Sequence, residues 1–168
     1  EKHSLLAQLN VLQRGIEASP HGIVMSDARA RGMPIVYANP AFLQITGYQA
    51  DEVLGKNCRF LQGPDTDPET VELIRQGIKR QREVNVAIRN YRRDGSWFWN
   101  QLIVSPVFDS QGLCTHYIGI QQDITRQREQ EELLAAQRSH DILTGLLNRQ
   151  SFESRLEKER RLQHGCGY

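Results

Sequence analysis

Apolar residues recur with a helical period at the beginning of this chain. Positions three or four apart share one face of a helix, so an apolar stripe at that spacing indicates an amphipathic helix. Such a stripe is formed by Leu5, Leu6, Leu9, Leu12 and Ile16. The Ser-Pro-His-Gly run that follows would end the helix. We therefore expect residues 1–19 to form a flanking amphipathic helix.

The second half of the chain alternates with a period of two. Side chains of a strand point to opposite faces in turn, and this alternation marks the segments 83–91, 97–105 and 114–122. An Asp-Gly pair lies between the first two segments and favours the positive φ angles of a hairpin turn. The pattern predicts three successive antiparallel strands.

Shorter elements precede these strands. Two short strands and two short helices are predicted, at 23–26, 34–38, 41–47 and 51–54. A longer helix begins after Asp67, because aspartate is a good N-cap and the following Pro68 suits the first helical position. This order predicts an α+β fold in which small helices lie beside a five-stranded antiparallel sheet.

Three amides interrupt the apolar faces of the three longer strands. They are Asn90, Asn100 and Gln121. A buried amide without a partner costs roughly 1–3 kcal/mol, so each amide needs a hydrogen-bond partner. Backbone groups, or the other amides, would satisfy any single amide about half the time. Three amides that face one interior favour a bound ligand with a polar edge.

A short run around Cys58 concentrates further polar groups. Residues 55–63 contain a thiol, two amides and a guanidinium, and a second guanidinium, Arg75, lies on the helix after Asp67. Guanidinium groups suit phosphate because their planar fork donates two parallel hydrogen bonds. Most lone cysteines are buried structural residues, and most isolated arginines are only solvated. These residues therefore count as evidence together rather than singly.

The run closely resembles the flavin-binding signature of the LOV family, the blue-light-sensing branch of the PAS fold. The resemblance covers about residues 20–124, without a gap between the matched motifs. It implies the PAS/LOV fold and a flavin pocket between the sheet and the small helices. Polar contacts are implied for Asn57, Arg59, Gln62, Arg75, Asn90, Asn100 and Gln121, and apolar walls for Val24, Phe42, Leu61, Val71, Ile74, Leu102 and Val104.

The resemblance also implies a photochemical function. Under blue light the sulfur of Cys58 would add reversibly to flavin carbon C4a as N5 gains a proton, while the protein supplies position and hydrogen bonds. The amide of Gln121 would reorient in response and pass the signal on. Two arginines for one phosphate favour FMN, although the adenine of FAD could extend outside the pocket.

Two other functions remain open. One is a flavin-based redox or oxygen sensor in which Cys58 takes no part, and a thiol within an otherwise complete signature weighs against it. The other is a ligand-free PAS module that only holds a dimer together. A visible spectrum in the dark and after illumination distinguishes the three functions.

The opposite face of the predicted sheet is unusually apolar. It carries Trp97, Trp99, Ile103, Ile118 and Ile120. A sheet face in water would not carry so many large apolar residues, so it must be covered. We expect the helix at 1–19 to cover it, within the chain or across a homodimer. A dimer is favoured because two linker helices would then emerge as a pair.

Beyond Asp123 the chain becomes charged and rich in glutamine, and residues 125–140 are expected to form a linker helix. Residues 141–149 resemble the opening of bacterial GGDEF domains, the diguanylate cyclases that make cyclic di-GMP. Without that resemblance they indicate only a helix end, a glycine-containing turn and a new helix. We expect residues 141–168 to begin a GGDEF domain without its catalytic loop. The chain itself would be no enzyme, and its parent would be a light-regulated diguanylate cyclase.

Composition narrows the setting. The 168 residues are 39% hydrophobic and 24% charged, with a net charge of +1, which suits a globular domain and favours neither nucleic acid nor a membrane surface. No apolar run approaches the ~20 residues of a membrane span, and no signal peptide opens the chain. Cys58, Cys114 and Cys166 occur without a CxxC pair or a histidine cluster, so we expect no disulfide, no metal and a cytoplasmic location. Alternation places Cys114 on the outer face, opposite Gln121.

Overall fold

The structure is a computed structural model that describes residues 1–164. Only the backbone is described for residues 162–164. Cys166 lies outside the described residues. The first elements are helix α1 (Lys2–Ala18), strands β1 (Gly22–Asp27) and β2 (Ile35–Ala38), helices α2 (Pro40–Thr46) and α3 (Ala50–Val53), and a 3₁₀ helix (Cys58–Leu61). They are followed by α4 (Pro68–Lys79), β3 (Val84–Tyr91), β4 (Trp97–Phe108), β5 (Cys114–Asp123) and α5 (Thr125–His164).

The five strands form one antiparallel sheet in the order β2-β1-β5-β4-β3. The last strand, β5, pairs with β1 on one side and with β4 on the other. The predicted α+β fold with a five-stranded antiparallel sheet is confirmed. Because β5 lies at the centre of the sheet and leads directly to α5, a change at its inner face has a short route to the helix.

Two apolar clusters join the small helices to the inner face of the sheet. The first contains Val24, Ile35, Phe42, Val53 and Leu61, and none of these side chains is more than 3% exposed. In the second, Ile74 and Ile78 of α4 pack against Val84, Val104 and Tyr117. Burial of this apolar surface is the main force that holds the helices on this face.

Polar side chains fix the helix starts. The carboxylate of Asp67 accepts a hydrogen bond from the Glu69 amide at 3.0 Å, as expected of an N-cap. Asn39 is fully buried and caps α2 by accepting from Phe42 N at 3.0 Å. Its Nδ2 also donates to the carbonyl of Ile16 at 2.9 Å. Asn39 therefore ties the end of α1 to α2.

Cys114 departs from the sequence prediction. The pairing of β4 with β5 shifts between Val107 and Phe108, so that Phe108 lies opposite Cys114 and Val107 opposite His116. Cys114 is only 7% exposed and belongs to the second core cluster, with Tyr117. The expectation of an outward-facing Cys114 was wrong because an irregularity of this kind reverses the alternation of side chains beyond it.

Helix α1 buries none of its residues within the single chain. Leu5, Leu9 and Leu12 are 60%, 58% and 63% exposed. On the outer face of the sheet, Trp97 is 41% exposed and meets Trp99 edge to face, with ring centroids 6.4 Å apart. Within one chain, then, α1 does not bury its stripe against the outer face.

Hydrogen bonds fix the start of α5 to the end of β5. Arg92 Nη2 donates to Asp123 Oδ2 at 2.7 Å, and its Nε donates to the carbonyl of Ile45 at 3.1 Å. Asp123 Oδ1 accepts from both the amide and the hydroxyl of Thr125, at 3.0 and 2.6 Å. The Thr125 oxygen accepts from Trp99 N at 2.8 Å. The strand end and the helix start thus share one hydrogen-bond network.

Helix α5 continues without a break for 40 residues. The glycine-containing turn expected near Gly145 does not form, and this residue lies inside the helix. A single glycine costs a helix only about 1 kcal/mol relative to alanine, and its neighbours are mostly good helix formers. Among the helices of residues 1–164, none combines the length and the hydrophobicity of a membrane span.

Candidate cofactor-binding site

A cavity of about 270 Å³ lies against the inner face of the sheet, enclosed by the 3₁₀ helix and α4. Nearly all residues predicted to form a site line it: Val24, Asn57, Cys58, Arg59, Leu61, Gln62, Val71, Ile74, Arg75, Asn90, Asn100, Leu102, Val104 and Gln121. Phe42 was expected in the wall and is not among the lining residues. It is fully buried in the first core cluster instead, with Val24 and Leu61, which do line the cavity.

The three strand amides lie close together in the cavity. Asn90, Asn100 and Gln121 are 4%, 0% and 3% exposed. Asn100 Nδ2 donates to Asn90 Oδ1 at 2.9 Å. Asn100 Oδ1 and Gln121 Oε1 are buried and have no hydrogen-bond partner among residues 1–164. Since buried polar atoms are rarely left unsatisfied, two orphan acceptors in one cavity indicate a ligand that carries N–H or O–H donors.

Cys58 begins the 3₁₀ helix and presents its thiol to the cavity. The preceding residue, Asn57, accepts from Arg59 N at 3.0 Å and donates to the carbonyl of Gly32 at 2.7 Å. Burial raises the pKa of the Cys58 thiol to about 11, and the Ser26 hydroxyl opposes part of that rise. At neutral pH the cavity therefore contains a protonated thiol, which can supply a proton as well as a sulfur.

The cavity reaches solvent beside two exposed arginines, Arg59 and Arg75. Arg75 Nη1 lies 3.1 Å from Glu72 Oε2, with the two side chains 71% and 49% exposed. Ion pairs this exposed contribute little and exchange readily, so the Arg75 guanidinium is free to turn to an anion. The polar interior and this basic mouth match the two ends of an amphipathic, phosphorylated molecule.

The cavity is also lined by six residues that were not predicted from the sequence as site residues: Ser26, Met33, Ile78, Ile88, Tyr117 and Gly119. Burial raises the pKa of Tyr117 to about 12, and its hydroxyl donates to the carbonyl of Ile78 at 2.7 Å. A Cβ on Gly119 would lie 3.0 Å from Val24 Cγ2 and 3.2 Å from Gln121 Nε2, so glycine preserves space beside the amide. Alternation on β5 already placed Tyr117 and Gly119 on the face of Gln121, and could have identified both.

The arrangement suits a flavin. An isoalloxazine ring is flat, needs apolar walls on both faces, and has N–H and carbonyl groups along one edge. Val24, Leu61 and Leu102 supply apolar walls. One of the orphan acceptors, on Asn100 or Gln121, can take the single ring N–H of an oxidised flavin, and an amide that turns its NH₂ to the ring can donate to a carbonyl or a ring nitrogen. Within the part of the chain that the structure describes, no group of histidine, cysteine or carboxylate side chains could hold a metal ion.

Comparisons with known proteins agree with this chemistry. The PAS domain family matches residues 20–126. A blue-light-activated histidine kinase of Brucella anthropi is 39% identical over 149 residues, which are 83% of this chain and 30% of that protein. The LOV domain of an Erythrobacter litoralis blue-light-activated histidine kinase is 42% identical, with a TM-score of 0.61 over 64% of this chain and 98% of that domain.

A third similar protein is an RNA-binding light-oxygen-voltage receptor, with 44% identity and a TM-score of 0.71 over 77% of this chain and 37% of that one. The chain spans only 30% and 37% of the kinase and of this receptor. The chain therefore belongs to the PAS family and is a LOV light-sensor domain, a branch that binds flavin.

Proposed function

We propose that this chain binds one FMN non-covalently and senses blue light through a reversible covalent bond from Cys58 to the flavin. The observation that carries the proposal is the meeting, in one cavity, of a protonated thiol with the orphan acceptors of Asn100 and Gln121. When bound, the flavin supplies light absorption and the electrophilic carbon C4a. Cys58 supplies the sulfur, and its proton is available for ring nitrogen N5.

The remaining lining residues hold the cofactor in place. The amides of Asn90, Asn100 and Gln121 bind the ring edge, and those of Asn57 and Gln62 reach the ribityl chain and the ring edge. Two guanidiniums at the mouth, those of Arg59 and Arg75, bind the phosphate. The two arginines serve one phosphate, and this favours FMN over FAD.

Gln121 is the proposed signal relay. Its amide can either donate or accept a hydrogen bond, so it can respond when N5 gains a proton. The residue lies on β5, two positions before Asp123, which caps the start of α5 together with Thr125. A shift of the Gln121 side chain would therefore reach the linker, residues 125–140, through a single strand end.

For the output we propose a diguanylate cyclase, on the resemblance of residues 141–149 to the opening of a GGDEF domain. Under this hypothesis, residues 1–19 form a flanking helix, residues 20–124 form the sensor domain, and residues 141–168 belong to the output domain. A histidine kinase is the second candidate, because the Brucella and Erythrobacter relatives bear that name. Assays of the full-length parent decide between them: synthesis of cyclic di-GMP from GTP, or autophosphorylation by ATP, in the dark and in blue light.

We also propose a homodimer through α1 and the outer sheet face. The support is two apolar surfaces that one chain leaves partly exposed, the leucine stripe of α1 and the face around Trp97. Exposed patches of this kind mark association sites. Sedimentation of a Leu9→Glu variant should show a monomer, whereas Leu73→Glu, at an equally exposed leucine of α4, should leave the mass unchanged. A monomeric wild type would overturn the dimer.

Visible absorption spectra test the photochemistry. Wild-type protein should be yellow in the dark, bleach under blue light and recover in darkness. Cys58→Ala should keep the flavin and lose the reversible bleaching, since no sulfur remains at that position. Cys114→Ala removes the other free thiol among the described residues and should bleach nearly normally.

Two outcomes contradict the proposal. Protein without flavin would favour the ligand-free dimer module, and flavin that bleaches identically in Cys58→Ala would favour the redox sensor. Loss of bleaching in Cys114→Ala alone would mean that the reactive thiol is misassigned.

A further inference from the structure

A hydroxyl lies beside the Cys58 thiol. Ser26, on β1, is 7% exposed and lines the same cavity as Cys58. The Ser26 hydroxyl lowers the pKa of the Cys58 thiol, against the larger rise that burial causes, as a hydroxyl close to the sulfur would. The other polar side chains of the cavity interior are amides and the Tyr117 phenol, whose proton goes to a backbone carbonyl. Ser26 is therefore placed to act on Cys58 rather than on the ring-edge amides.

Backbone pairing brings the segment before Cys58 close to the strand that carries Ser26. Ile35 of β2 lies opposite Ser26 in the β1–β2 ladder. On its other side, Ile35 N donates to Lys56 O at 2.8 Å, and Gly55 N donates to Ile35 O at 2.9 Å. The segment that leads into Cys58 thus runs along the free edge of β2, as an added strand would. Its position relative to Ser26 is fixed by main-chain hydrogen bonds.

A side-chain contact adds a second constraint to the same turn. Asn57 Nδ2 donates to the carbonyl of Gly32 at 2.7 Å, which joins the Cys58 turn to the β1–β2 loop. Asn57 Oδ1 also caps the 3₁₀ helix through Arg59 N. The backbone that carries Cys58 is therefore held next to β1 and β2. The remaining freedom of Cys58 is rotation of its side chain, which is what a hydrogen bond to the sulfur would limit.

We infer that Ser26 is a positioning residue for Cys58: its hydroxyl holds the thiol in one orientation within the cavity. A serine hydroxyl is both donor and acceptor, so it can accept from S–H and can also donate to sulfur. Ser26 can therefore keep a hydrogen bond to Cys58 whether the thiol or the hydroxyl is the donor. This inference rests on the proposed function, because an oriented thiol matters only if its sulfur reacts.

The infrared S–H stretching band of Cys58 in dark protein gives a direct test. The band is assigned by its absence in Cys58→Ala, and its frequency reports hydrogen bonding of the thiol. Ser26→Ala should shift the band to the higher frequency of a free thiol, and Ser26→Thr, which restores a hydroxyl, should return it. Ser105→Ala is the control. It removes a hydroxyl on β4 that donates to Glu83 at 2.7 Å, and it should leave the S–H band in place.

A photochemical measurement completes the test. The yield of reversible bleaching per absorbed photon should fall a few-fold in Ser26→Ala and recover in Ser26→Thr. If Ser26→Ala is too unstable, Ser26→Val is compared with Ser26→Thr instead. Valine and threonine have nearly the same shape, so the two variants differ only in the hydroxyl. An S–H band that is identical in wild type and in these hydroxyl-free variants overturns the inference.

The two proposals fail separately. If wild-type protein shows no Cys58-dependent bleaching, the proposed photochemistry is wrong, yet the dark S–H band still decides whether Ser26 binds the thiol. If bleaching is normal and the band does not respond to Ser26, the photochemistry stands and Ser26 has no positioning role.

Discussion

The interior of the cavity and its mouth offer a ligand different interactions: buried hydrogen bonds in the interior and exposed charges at the mouth. In the interior, Asn100 and Gln121 are at most 3% exposed, and each keeps an acceptor without a protein partner among residues 1–164. At the mouth, Arg59 and Arg75 are exposed. Water and salt do not compete for a buried hydrogen bond, whereas they screen an exposed charge. The interior should therefore determine which ring is bound, and the mouth how firmly its charged tail is held.

The largest effect is expected at the interior residue that leads out of the cavity. Gln121→Leu has similar bulk but cannot exchange hydrogen-bond partners. It should still react through Cys58, while the light-induced change in hydrogen exchange over residues 125–139 disappears. Gln122→Leu is the matched control, because its side chain is exposed on the opposite face. A full light-dependent difference in Gln121→Leu would show that the signal leaves by another route, such as the outer face around Trp97.

Removal of an interior amide should weaken flavin binding about tenfold or more. Asn100→Leu deletes one orphan acceptor and also leaves Asn90 Oδ1 without its donor, a loss of roughly 1–3 kcal/mol. The affinity is measured by flavin fluorescence titration at low and high salt, and the loss should be the same at both. Gln101→Leu, which removes an outer-face amide that bonds Asn85, should bind normally. Equal losses in the two variants would place the specificity elsewhere.

The buried thiol should make stability depend on alkaline pH. Its pKa is raised from 9.0 to about 11, so the native state holds this proton more tightly than the unfolded state does. The resulting stability, on the order of 2 kcal/mol, is complete below pH 9.0 and is lost as the pH rises through about 11. Denaturant unfolding across this range should show a steeper decline in wild type than in Cys58→Ala. Parallel curves would mean that the thiol is not desolvated.

The smallest effect is expected at the mouth. Exposed charges contribute less than about 1 kcal/mol each, so Arg59→Ala combined with Arg75→Ala should lower FMN affinity only a few-fold. Unlike the interior loss, this one should shrink at high salt. Arg80→Ala with Arg82→Ala removes two exposed arginines that do not line the cavity and serves as control. If the variant that lacks both Arg59 and Arg75 bound FMN with unchanged affinity, these arginines would not be the phosphate-binding residues.

The inner face of the sheet could be predicted from sequence because its strands are regular there. Alternation alone places Asn90, Asn100 and Gln121 on one side, and the structure shows all three buried in one cavity. Cys114 escaped the same rule because one shift in the β4–β5 pairing reverses the alternation. A local pattern of polar and apolar residues carries no signal for such a shift.

Contacts between distant segments were harder to foresee. Ser26 is one hydroxyl on a short strand, and only the pairing of Ile35 with Lys56 and Gly55 brings the Cys58 turn close to that strand. Phe42 is apolar and buried whether it lines the cavity or belongs only to the core cluster, so its sequence position could not separate the two. Similarly, the stripe on α1 predicted burial against something, but a periodic stripe does not identify its partner.

The unbroken course of α5 has a geometric consequence for any domain joined to it. At about 1.5 Å of rise per residue, its 40 residues extend roughly 60 Å. Each residue inserted into that rod advances everything beyond it by one step and rotates it by about 100°. Linker length therefore sets a phase as well as a distance. Insertions of about seven residues nearly restore the original angle, whereas insertions of two turn the attached domain to the far side.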